Sequence, residues 1–115
     1  MTRERYFIKL NEEAVLKLPY YGPLTRRIHN VRQRKNKEEI EEMFVQRKDA
    51  FATDLIYSIN RLRNREISEI RFLCGLDGLI RIYLNEKGRL AGEYVCESRS
   101  SLNIFREKIG LSSQS

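Results

Sequence analysis

Three arginines are the side chains of this chain best suited to chemistry. Arg71 and Arg81 each sit in a stretch whose neighbours are mostly apolar, Glu69-Ile70-Arg71-Phe72 and Leu79-Ile80-Arg81-Ile82-Tyr83, and Arg99 follows shortly after. A guanidinium inside an apolar strand costs several kcal/mol unless it is paired or reaches a wet surface. Three of them near one sheet would hold a phosphate and stabilise charge developing on it without a metal. Attack by an RNA 2′-hydroxyl on its own phosphate needs only that support and proton transfer. The competing reading is structural: Arg81 salt-bridges Glu69 or Glu93 across the sheet.

Other catalytic constellations are missing from the sequence. His29 is the single histidine, and neither a Walker motif nor GxGxxG can be written. Cys74, Cys96 and His29 lack metal-ligand spacing, and nothing arranges Glu66, Glu69 and Asp77 around a magnesium ion. No metal or cofactor is expected.

The net charge of +6 is unevenly placed. Residues 1–37 hold ten basic and three acidic residues, and residues 66–115 hold seven of each. Most of the surplus is in Arg26, Arg27, Arg32, Arg34, Lys35 and Lys37, a segment without an acid. A field of one sign attracts a phosphate backbone, so this segment is a candidate nucleic-acid contact, with RNA or the ribosome as partner. The acids that follow, Glu38-Glu39-Ile40-Glu41-Glu42, allow the alternative that the two runs neutralise each other.

These side chains need elements to position them. Tyr6, Ile8 and Leu10 alternate along a first strand, and Asn11 can cap a helix carrying Ala14, Val15 and Leu18. Pro23 suits the start of a helix with Leu24, Ile28 and Val31 on one stripe. Asn36 and Glu39 resemble a capping box opening a helix through Ile40, Phe44, Phe51, Leu55, Ile59 and Leu62, about 27 residues if unbroken. From Ile67 the period becomes two, predicting a three-stranded antiparallel meander turned at Gly75–Gly78 and Asn85–Gly88. Ser98 or Ser100 then caps a last helix with Leu102, Phe105 and Ile109, closed by Gly110. The expectation is one α+β domain over residues 1–111, with residues 112–115 a disordered tail. At 115 residues, 41% of them hydrophobic, it is long enough for a core without staples. With two cysteines, no secretory apolar run and no membrane-length segment, the expected compartment is the cytoplasm.

This order of elements resembles the RelE/ParE superfamily of toxin–antitoxin toxins, including its HigB-like branch. Tyr6-Phe7-Ile8-Lys9-Leu10-Asn11-Glu12-Glu13-Ala14 is similar to that family's first strand and helix start. Glu69-Ile70-Arg71 and Gly78-Leu79-Ile80-Arg81-Ile82-Tyr83 resemble its E-L/I-R … G-x-x-R-x-x-Y region. The resemblance implies a small basic mRNA endonuclease acting without a metal, with Arg71, Arg81 and Arg99 at the scissile phosphate and Tyr83 beside them, and an antitoxin partner. The family's C-terminal aromatic or histidine acid/base has no match, since Phe105 cannot transfer a proton. Two further classes fit the same residues. One is a non-catalytic nucleic-acid-binding or regulatory protein. The other is a phage or mobile-element protein that blocks a host factor by protein–protein contact, with Tyr20-Tyr21 on a loop.

Overall fold

The computed structural model describes residues 4–110; the expected tail, residues 112–115, lies outside the described residues. The chain runs β1 (Tyr6–Leu10), α1 (Glu12–Lys17), a 3-10 turn (Leu18–Tyr21), β2 (Arg27–Arg34), β3 (Lys37–Phe44), α2 (Ala50–Arg63), β4 (Glu69–Cys74), β5 (Gly78–Leu84), β6 (Leu90–Cys96) and α3 (Arg99–Ile109). The class is α+β. The six strands form one sheet in the order β1-β6-β5-β4-β2-β3, every pair antiparallel.

The β4–β5–β6 meander is where the period of two places it. Gly88, with φ at +77°, supplies the left-handed residue of the second turn. Gly78 is required for a different reason: a Cβ there would lie 2.5 Å from Cε2 of Tyr94. β1 joins the meander by pairing with β6, and Asn11 caps α1 by accepting from the Ala14 N–H at 2.9 Å. Gly110, left-handed at +69°, ends α3.

Residues 24–44 depart from expectation. The two helical stretches read there, one from Pro23 and one opened by Asn36, are instead the β2–β3 hairpin, with Arg34 opposite Lys37. Lys35 and Asn36 both have positive φ, +43° and +69°. That is the signature of a two-residue hairpin turn, whose twist matches the strands it joins, and asparagine tolerates the left-handed region better than most residues. The long helix is thereby reduced to α2. Its apolar positions Phe51, Leu55, Ile59 and Leu62 are buried as expected, whereas Ile40 and Phe44 stand exposed on β3.

All three helices lie on one side of the sheet. Their apolar faces meet Ile8, Leu10, Ile28, Ile70, Phe72, Ile80, Ile82, Leu90 and Tyr94 in a single core. Phe51 of α2 packs edge-on against Phe72 at 5.9 Å, and Tyr94 packs on Phe105 of α3 at 3.9 Å between ring centres. Alternation sends the other strand residues to the opposite face, which no helix among the described residues covers. Cys96 is buried in the core and Cys74 half-buried at its border; burial pushes the Cys74 thiol up, away from a reactive thiolate.

Two features make local predictions. Asn30 on β2 is fully buried, and neither atom of its amide finds a protein partner. Replacing both polar atoms with apolar ones of similar shape removes an unmet desolvation cost, so Asn30→Leu should stabilise the fold by about 1–2 kcal/mol. A urea melt followed by circular dichroism checks this, and a destabilised variant would show that the amide is satisfied by water. The second feature is the start of α3. Ser98 accepts from the Ser101 N–H at 3.2 Å, Ser101 donates its hydroxyl to Asp77 at 2.7 Å, and the Glu97 N–H donates to Asp77 at 3.1 Å. The Ser101 hydroxyl, then the other donors, hold the Asp77 carboxyl below its ordinary value. A depressed carboxyl contributes stability above its unfolded pKa, about 3.9, and loses it as pH falls through the lower folded value. Acidification from pH 5 to pH 3 should therefore cost the native chain more stability than it costs Asp77→Asn. Equal losses would remove Asp77 from the cap.

Candidate nucleic-acid interface

β-Sheet register decides what the strand arginines face. Arg71 and Arg81 are directly opposite each other on β4 and β5, with Glu93 of β6 opposite Arg81 in turn. Both guanidiniums point to the uncovered face and close on Glu69, which is only 7% exposed beneath them. Arg81 donates from Nε to Glu69 at 3.0 Å and from Nη1 to Glu93 at 2.8 Å. Arg71 donates to Glu69 and, from Nη2, to Glu38 of β3 at 3.0 Å. The hydrogen bonds to Glu69 raise both guanidiniums above their already high values. Two cations are thus held by three carboxylates, and Val31, opposite Glu69 in register, is buried on this face. The structural reading of Arg81 is realised with both Glu69 and Glu93.

Tyr83 lies two residues along β5 on the same face as Arg81, opposite Ala91. Arg99 is not with them. It opens α3, beyond the far edge of the sheet, where it lines a concavity with β1.

Two cations of the basic segment face acids across the hairpin. Arg27 lies 3.7 Å from Glu42, and Arg34 lies 3.8 Å from Glu39. Arg32 donates to the Glu66 carbonyl at 3.2 Å. Among the described residues no acid forms an ion pair with Arg26, Arg32, Lys35 or Lys37. The alternative in which the basic and acidic runs answer each other is the one the hairpin builds, across two strands and not along helices.

Unopposed charge gathers elsewhere. Arg99, Asn103 and Arg106 are spaced i, i+4 and i+7, so they share one stripe of α3 beside its buried Leu102 and Phe105. With Arg5, Tyr6 and Phe7 at the start of β1, they line an open concavity of about 660 Å³. Among the described residues no carboxylate lines it. Glu4 is tied to the cluster through the Tyr6 hydroxyl, which donates to it at 2.8 Å, and no ion pair joins any described acid to Arg5, Arg99 or Arg106. A second groove, about 820 Å³, continues along the β1 edge, sharing Phe7 and Arg106 and adding Lys9 and Arg89 opposite Glu12 and Glu13. Arginine forks in such a concavity suit bidentate contact with phosphate oxygens.

Of the residues expected at a site, Arg71, Arg81 and Tyr83 share one face, Arg99 belongs to a second locus, and the hairpin cations form a third. Arg5 and Arg106 were not singled out by the sequence. The i, i+7 spacing of Arg99 and Arg106 was the available signal; the approach of β1 to α3 was not local information. Among the described residues no three of His, Cys, Asp and Glu converge as metal ligands, and no helix is long and apolar enough to cross a membrane. The chain matches no protein-family model, and no curated protein is significantly similar to it.

Proposed function

We propose that this is a non-catalytic nucleic-acid-binding protein that grips the phosphate backbone with Arg5, Arg99 and Arg106. The observation carrying this reading is the contrast between two sets of arginines. Those at the β1–α3 concavity have no ion-pair partner among the described residues, whereas Arg71 and Arg81 are occupied by Glu69, Glu93 and Glu38. A phosphate approaching Arg71 and Arg81 would have to displace carboxylates already bonded there, one of them buried. Arg99, the third member of the cleavage constellation, stands at the other locus. RNA cleavage by Arg71, Arg81, Arg99 and Tyr83, as the RelE-like resemblance implies, therefore draws less support than binding does. Ribosomal RNA offers the same phosphates, so a ribosome partner fits the same surface.

The test is fluorescence anisotropy of a labelled single-stranded RNA at low salt, followed by a denaturing gel of the same sample. Binding should weaken at least tenfold in the triple variant Arg5→Gln/Arg99→Gln/Arg106→Gln, with the RNA intact throughout. Unchanged binding by the triple variant would overturn the reading. Cleaved RNA that survives in wild type only and stops in Arg81→Ala would restore the catalytic one.

A further inference from the structure

The uncovered face of the sheet is organised in rows. One row crosses all six strands as Lys9, Glu93, Arg81, Arg71, His29 and Glu42. The next row, two residues along, carries Phe7, Val95, Leu79 and Leu73, and Phe44 on β3 extends it beyond Arg27. Phe7, Leu73 and Phe44 are 60%, 59% and 53% exposed. Large apolar side chains at this density on one face mark an interaction surface. The face carries four cations, Lys9, Arg27, Arg71 and Arg81, and four acids, Glu38, Glu42, Glu69 and Glu93. A neutral face whose central arginines are already paired does not attract a polyanion, but it can be buried without stranding a charge.

We infer that two copies of this chain pack these faces together as a symmetric sheet-on-sheet dimer. The row order itself is self-complementary. A two-fold axis parallel to the strands and passing between β4 and β5 exchanges β5 with β4, β6 with β2 and β1 with β3 of the second copy. It lays Lys9 over Glu42 and Glu93 over His29 of that copy, each twice by symmetry. In the apolar row it lays Leu79 over Leu73, Phe7 over Phe44, and Val95 over Arg27, whose guanidinium stays 3.7 Å from Glu42 of its own copy. Arg81 meets Arg71 at the centre, where each copy supplies its own Glu69. Aligned sheets cross at about 30°, an offset that lysine and glutamate side chains are long enough to span. Six strands about 4.8 Å apart and three rows of side chains give a footprint near 500–600 Å² on each copy, enough for an interface above about 1,000 Å² in total. The dimer and the phosphate-binding reading meet at β1, where Phe7 and Lys9 also line the two concavities, so association is measured in the absence of nucleic acid.

Sedimentation velocity over a concentration series tests it. The full chain should sediment at twice its 13.7 kDa mass. Lys9→Glu should weaken association at least tenfold, since it sets like charges together twice, and Lys9→Glu/Glu42→Lys should recover most of the loss. Leu73→Glu, checked for folding by circular dichroism, should be monomeric. A monomer at every concentration would overturn the inference. So would a dimer indifferent to Lys9→Glu and Leu73→Glu, because its interface would lie elsewhere.

Discussion

Replacing Glu69 with alanine is expected to destabilise the fold by about 2–3 kcal/mol, the largest loss from any single charge on the sheet. Removing one partner of a fully buried ion pair costs roughly 3–5 kcal/mol, because the remaining charge is left desolvated. Glu69 is the buried partner here, and it serves two guanidiniums at once. The figure is reduced because the Arg71 and Arg81 side chains are 29% and 40% exposed, so water recovers part of their solvation. Glu38, by contrast, is an exposed partner of Arg71, and Glu38→Ala should cost no more than about 1 kcal/mol. Urea denaturation followed by circular dichroism distinguishes the two. If Glu69→Ala and Glu38→Ala lose the same small amount, the carboxylate under the arginines is not what holds them, and both guanidiniums become available to a phosphate.

The second large effect is on salt dependence. Each phosphate neutralised on a single strand contributes about 0.7 to the slope of log affinity against log salt. Changing Arg5, Arg99 and Arg106 together to glutamine should therefore flatten the slope by about two. Across a fourfold rise in salt, that is a roughly twentyfold smaller loss of affinity than the native chain suffers. The paired cations of the hairpin behave differently. Arg32 donates to the Glu66 carbonyl and Arg34 lies beside Glu39, so neutralising both should alter the slope by less than one. A hairpin variant that flattens the slope as much as the concavity variant would place the nucleic acid on β2–β3.

Much of the fold is legible because its signals are local. Asn11 ahead of Glu12 and Glu13, the alternation from Ile67 to Cys96, Gly88 in a left-handed turn, and Ser98 and Gly110 at the ends of α3 each depend on residues a few positions away. Residues 24–44 mislead because two periods compete. Leu24, Ile28 and Val31 fit a helical stripe, while Ile28 and Asn30 with His29 between them fit a strand, and the buried amide of Asn30 hides the alternation. The charge sequence contains the missing cue: basic residues before Asn36 and acids after it are mirrored about the turn, as cross-strand pairing requires. The candidate site is less legible. Arg71 and Arg81 could be placed on strands, but their opposition depends on register, and Arg5 meets Arg99 and Arg106 only because β1 closes the sheet beside α3.

The most direct measurement is a nitrogen-resolved NMR titration of the chain with a short single-stranded RNA, observing backbone amides and arginine Nε–H groups. Phosphate binding at the β1–α3 concavity should shift the Nε–H signals of Arg5, Arg99 and Arg106 and the amides of Tyr6, Phe7 and Asn103, leaving Arg71 and Arg81 in place. Shifts centred on Arg34, Lys35 and Lys37, or on Arg71 and Arg81, would contradict that site, and a spectrum unchanged at low salt would contradict nucleic-acid binding altogether.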